Sequence, residues 1–256
     1  ERNVDLNRNM ISFAQPLPQN PLFDRAIHEL FAPAELSADP IAQMREGIAR
    51  LCEEHGRDAV IDGINRGQYT HPDGVYFGGR QPEWSSTALL DIIRGDLRSA
   101  KRVACIDWHT GMGAYGESFF ICFHHPNEPR FREAGRWWGE QNLLDESGFS
   151  EAARPTYQGL VINAIEHALR EQGCEMIGAV VEFGTYEEER VEAAIMVDRA
   201  LRHGGGGLSP ARANTLREMM LDTFSPDSRR WRDSVEAHAR RIYEATLRGL
   251  AGWGSS

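Results

Sequence analysis

The chain has 256 residues, 41% hydrophobic and 26% charged, enough to bury a full core as one large domain or two small ones. Its net charge of -10 opposes a general nucleic-acid binder, because neutralising phosphates needs a basic face, and no apolar run is long enough to span a bilayer. The four cysteines, Cys52, Cys105, Cys122 and Cys174, form no Cys-x-x-Cys unit, which argues against a disulfide framework or zinc knuckle and for reduced core thiols in a cytoplasmic protein.

In "NVDLNRN", Val4 and Leu6 alternate with polar neighbours, which predicts a short strand ending at Asn7 and Arg8. A Pro-rich connection follows, and then a helix from about Ser37 with Ile41, Met44, Ile48 and Leu51 on one face. The stretch 67–86, rich in Gly and Pro, must be loop or hairpin. Its Gln68, Tyr69 and Trp84 read equally as a substrate pocket or as structural staples. Another helix is expected in "TALLDIIRGDLRS". "KRVACIDWHTG" carries a continuous apolar run at Val103 to Ile106, the signature of a strand covered on both faces, and "SFFICF" is a second such run.

Helices are expected near 131–144 and 156–171, then a third strand in "EMIGAVVEFGT". Three helical stretches close the chain, near 188–201, 210–224 and 229–250, the last with Trp231, Val235, Ile242 and Leu250 as its apolar stripe. The densest basic run, "RRWR", is flanked by Asp227 and Asp233 and reads as a solvated helix face. Strands separated by helices predict an α/β fold, a three-layer α/β/α sandwich with a central mixed, mostly parallel sheet. One domain over 1–256 is expected, with a helical C-terminal portion at 187–256.

Three predicted strands finish on a reactive or charged side chain: Asn7 with Arg8, His109 in "IDWHTGMG", and Glu182 in "VVEFGTY". In open α/β sheets ligands gather at the carboxyl ends of strands, so a guanidinium, an imidazole and a carboxylate there make a candidate site. His109 alone reads equally as a histidine bonded to backbone. A carboxylate after "IGAVV" is costly unless paired, metal-bound or facing water, which favours a functional Glu182. Arg8 could be a surface ion pair, but beside Asn7 it offers a planar fork plus an amide, a natural holder for a carboxylate. Asp107 could orient a neighbouring ligand or cap the next turn.

At these motifs the chain resembles the zinc carboxypeptidase superfamily, which includes the succinylglutamate desuccinylase and aspartoacylase deacylases. "VDLNRN" matches its Asn-Arg motif, "IDWHTG" its third zinc-ligand histidine and "VVEFGT" the segment of its catalytic glutamate, in the family order. With "GQYTHPDGVYFGG" and "PEWS", the chain looks most like a bacterial branch, the domain of unknown function 2817. The resemblance spans roughly Asn3 to Tyr186. It implies a zinc carboxypeptidase-like fold and one zinc ion with His109 as a ligand. It further implies Glu182 as the general base for a zinc-bound water, and Asn7 and Arg8 holding the substrate's carboxylate.

The superfamily takes its other two ligands from a His-x-x-Glu motif before the Asn-Arg motif. Since the sequence starts at Glu1, both are expected upstream of it, the chain lacking the N-terminal part of the domain and being inactive as it stands. The one motif of that spacing here, His125 to Glu128, follows the third ligand and is broken by Pro126. No tyrosine is assigned to catalysis by motif; Tyr157 and Tyr186 are candidates. The expected function is therefore a zinc-dependent metallopeptidase or amidohydrolase, cleaving an amide bond beside a free carboxylate in a peptide or acyl amino acid. The alternative is a non-catalytic binding domain for carboxylates or peptides with an incomplete metal site.

Overall fold

The computed structural model describes residues 2–144, 156–203 and 208–254. In chain order its elements are α1 (Leu6–Asn9), a π-helical turn (Phe23–Ile27) running into α2 (His28–Phe31), α3 (Pro40–His55), α4 (Arg57–Asn65), α5 (Trp84–Asp96), β1 (Arg102–Gly111), β2 (Ser118–Ile121), α6 (Pro129–Trp138), β3 (Leu143–Leu144), α7 (Val161–Glu171), β4 (Glu175–Gly184), α8 (Glu188–His203), α9 (Pro210–Phe224) and α10 (Arg229–Gly252). They form two compact units: a helical one of Glu1–Ser86, Glu151–Val161 and Glu187–Ser225, and a sheet unit of Thr87–Ser150, Ile162–Tyr186 and Pro226–Ser256.

In the helical unit, α3 starts where the Asp39 side chain accepts the N–H groups of Ile41 and Ala42 and Pro40 fills the first position. It ends at Gly56, whose φ of 84° lies in the left-handed region. Removing the cap by Asp39→Ala is expected to cost about 1 kcal/mol. A urea melt with an unchanged midpoint would show that α3 does not depend on it. Met44 and Leu51 from the predicted face of α3 are buried with Phe23, Ile27, Phe31, Val60 and Met196.

The opening segment departs from expectation. Asp5 accepts the Asn7 N–H and caps one helical turn, Leu6–Asn9, where a strand was predicted. A short side-chain acceptor there competes for the backbone N–H that a strand would have offered to a neighbour. The irregular stretch 67–83 is held from inside. The side chain of Gln68, 1% exposed, donates to His71 O and Val75 O and accepts from the N–H of Thr70 and of His71. Asn9 donates to Gly78 O and Gln81 O and accepts from Glu83 N–H. Gln68 and the buried Tyr69 are thus structural anchors, while Trp84 is 81% exposed.

The sheet unit has strand order β1-β4-β2-β3, with β1 parallel to β4, β4 antiparallel to β2 and β2 parallel to β3. It is the mixed, mostly parallel sheet flanked by helices that the sequence predicts for an α/β sandwich. Odd-numbered β4 residues, Ile177, Ala179, Val181 and Phe183, share one core with Trp137 and Trp138 of α6 and Trp231 and Ile242 of α10. Fully burying one such aliphatic or aromatic side chain stabilises by about 1.5–3 kcal/mol. The indoles also satisfy their N–H groups: Trp138 donates to Thr246 Oγ1 at 2.9 Å and Trp231 to Gly184 O at 2.8 Å.

β4 is buried along nearly its whole length, whereas Val103 to Ile106 of β1 are only half-buried. The sequence predicts a strand covered on both faces there. β1 instead stands at an edge of the described sheet, and an edge strand has a partner on one side only. All four cysteines are free thiols, and Arg229 and Arg232 of the basic run pair with Asp233 and Asp227. Among the described residues no helix is long and apolar enough to cross a membrane.

Candidate functional site

β1 and β4 pair in register so that His109 lies opposite Glu182 and Asp107 opposite Val180. Side chains alternate between sheet faces with period two. Phe183 and Val181 therefore enter the core, while Glu182, His109 and Asp107 share the other face. Two of the three predicted strand ends are thus neighbours in the sheet.

His109 stands between two carboxylates. Its Nε2 is 3.1 Å from Asp107 Oδ1, and its Nδ1 is 3.6 Å from Glu182 Oε1. Glu182 is 6% exposed, and its Oε2 is buried without a hydrogen-bond partner. Hydrogen bonding to Asp107, then to Glu182, outweighs the effect of burial and pushes the His109 imidazole up to about 10. Two anions around one ring create a site that holds a positive charge, whether a proton or a metal ion that displaces it. Burial, and then the nearby Asp107, push the Cys105 thiol up to about 11, which makes it a poor thiolate ligand.

A histidine whose far nitrogen is held by one carboxylate and whose near nitrogen faces a second, buried carboxylate with its other oxygen unpartnered fits the edge of a metal site. The fit is partial. Among the described residues no group of three His, Cys, Asp or Glu side chains gathers to hold an ion. Glu128 of the misplaced His-x-x-Glu spacing pairs with Arg130.

The turn after β1 explains the small residues that follow His109. Gly113 has a φ of 104° and a Cβ there would stand 2.9 Å from Phe119 Cε1, while at the end of β4 a Cβ on Gly184 would stand 2.0 Å from the backbone oxygen of Ala114, so the chain needs glycine at both points. Beyond it Tyr115 and Tyr186 meet edge to face at 5.7 Å, a pairing that the sequence gives no sign of. Trp108 stacks on Phe183 at 5.6 Å yet is 44% exposed.

Asn7 and Arg8 belong to the helical unit. Asn7 Oδ1 accepts the Val161 N–H at 3.0 Å. The buried Arg8 donates from Nη1 to Asn7 O at 2.9 Å and from Nη2 to Asn65 O at 2.6 Å, and its Nε is buried without a partner. Its guanidinium carbon lies 5.5 Å from the ring centre of Tyr157 and 5.8 Å from that of Tyr76. Gly67 makes room for the side chain, since a Cβ there would be 2.6 Å from Arg8 Cδ.

A family model described as "Protein of unknown function (DUF2817)" matches residues 1–238. Neither the curated proteins nor the solved structures gave a match.

Proposed function

The chain belongs to the DUF2817 family, and from the geometry around His109 we propose that it is a hydrolase of the zinc carboxypeptidase type, cleaving an amide bond next to a free carboxylate. The observation that carries this reading is the buried, unpartnered Oε2 of Glu182 beside a histidine that Asp107 holds from its far side.

His109 is the residue of this chain that would hold zinc, through the nitrogen that faces Glu182. Zinc bound there would supply a Lewis acid for the scissile carbonyl. Glu182 takes the proton of the attacking water and passes it to the leaving amine, a task for a carboxylate shielded from bulk solvent. Asp107 fixes the His109 ring so that one nitrogen always faces Glu182. By resemblance to the superfamily, Asn7 and Arg8 are the residues proposed to select the free carboxylate.

The test is an assay of the full-length protein with zinc supplied, on matched pairs of acyl amino acids and peptides that carry either a free carboxylate or its amide. Hydrolysis confined to the free carboxylates is the expected result, with about one zinc per chain by atomic emission. Binding of the carboxylates without turnover would favour a non-catalytic binding domain, and cleavage of both members of each pair alike would remove the carboxylate from the reading.

A further inference from the structure

Within the sheet unit, a cavity of about 380 Å³ lies between β2, α6 and α10. Such a volume falls within the range of about 300–1,000 Å³ usual for small-molecule sites. Phe120, Trp137, Trp138 and Ile242 give it apolar walls, and the charged groups at it are of both signs, Arg241 and Arg248 with Glu117 and Glu244, the last 3.7 Å from Arg248. Ser118 and His238 also line it, and Ser118 Oγ is 2.8 Å from His238 Nδ1. The other ring nitrogen of His238 is 3.7 Å from Glu117 Oε2.

A hydroxyl within hydrogen-bond reach of an imidazole, itself faced by a carboxylate, is the arrangement that activates a serine nucleophile. Ser118 is set on a rigid element, since β2 pairs with β4 and places it opposite Phe183. Burial, then the neighbouring Arg241, lower the proton affinity of His238 below its ordinary value. That favours the neutral ring, and the tautomer with its hydrogen on Nε2, toward Glu117, is the one in which Nδ1 can accept the Ser118 proton.

We propose that Ser118, His238 and Glu117 form a second site, an acyl-transfer centre for small esters with an apolar or aromatic acyl group, sharing no residue with the His109 site. Ser118 Oγ adds to the ester carbonyl carbon as its proton passes to His238 Nδ1. The bond from that carbon to the alcohol oxygen breaks, and the alcohol leaves with the proton. Water then adds to the acyl-serine, giving a proton to the same nitrogen. The bond to Oγ breaks, Oγ recovers the proton and the acid departs. Arg241, which also lines the cavity, opposes the negative charge that develops on the carbonyl oxygen, and Glu117 stabilises the imidazolium while it exists. The cycle needs no oxidant, reductant or metal.

The experiment treats the full chain with a fluorophosphonate probe in the presence of a metal chelator and maps the adduct by peptide mass spectrometry. One adduct, on Ser118, is expected in the unsubstituted protein and none in Ser118→Ala. In His238→Gln the labelling rate should fall by at least about 100-fold with the melting temperature preserved. An unlabelled protein, an adduct on another residue, or labelling lost on chelation would overturn the proposal and leave Ser118 and His238 as a hydrogen bond tying α10 to β2. Should His238→Gln fail to fold, mapping in the unsubstituted protein still decides.

Discussion

Glu182→Gln is expected to lower kcat by about 10²–10⁴-fold, the usual worth of a positioned general base, while the chain keeps its fold and its affinity for metal. Glutamine preserves the shape of the side chain and loses only the capacity to take a proton. β4 carries Glu182 into a position where it is 6% exposed, and one carboxylate oxygen finds no donor among the described residues. A buried acceptor without a partner costs about 1–3 kcal/mol. A group that destabilises the fold and sits beside a histidine held by Asp107 is the kind of feature that function retains against stability.

The melting temperature of Glu182→Gln should therefore stay level or rise, as relief from burying a charge offsets the lost attraction to His109. Steady-state kinetics, metal content and a thermal melt on the same preparation separate the possibilities. A normal kcat would remove Glu182 from the mechanism. A collapsed melt would show that the carboxylate serves the fold, and the activity reading would need another base.

The sequence made the sheet and the long helices legible wherever a pattern runs over many residues. "EMIGAVVEFGT" could only be a buried strand, and β4 spans Glu175–Gly184 as read. The stripe Trp231, Val235, Ile242 and Leu250 packs as α10 predicts. Partnership between strands was not legible, because periodicity shows which face a residue takes and not which strand lies beside it. The strand ends group His109 and Glu182 in one candidate site, but only the register makes them direct neighbours. Short segments failed for a different reason. The alternation of Val4 and Leu6 covers too few residues to outweigh the cap supplied by Asp5. α4 and the turns from Phe23 to Phe31 were missed because nearby prolines and Gly56 read as breaks, although proline is at home next to a helix start and glycine at its end. In the stretch 67–86 the backbone is irregular as expected up to 83, while 84–86 already belong to α5, and whether Gln68 faces a ligand or its own loop depends on contacts that no spacing encodes.

Stability in the helical unit should rise as pH falls from about 9 to about 5 at one identifiable group, Glu192, against the trend of an ordinary paired carboxylate. Glu192 of α8 is 9% exposed and accepts a hydrogen bond from Tyr76 Oη at 3.0 Å. Tyr76 has a φ of 53°, a left-handed conformation strained for an aromatic residue, so this bond holds a loop position under tension. Burial raises the Glu192 carboxyl from 4.5 to about 7, partly opposed by the bond from Tyr76 and reinforced by Glu188. The folded pKa thus lies above the unfolded one. Its stabilisation is complete below about 4.5 and is lost as pH rises through about 7. Integrated over that interval, the loss is about 3 kcal/mol. Glu192→Gln keeps an acceptor for Tyr76 and cannot ionise. The variant should approach the unsubstituted protein at pH 4 and exceed it by up to about 3 kcal/mol at pH 9, and the difference between the two cancels every other titrating group they share. Urea melts of both proteins at the two pH values measure it directly. A gap that does not change with pH would mean that Glu192 ionises in the native state as readily as in the unfolded chain, and one that widens toward acid that it ionises more readily there.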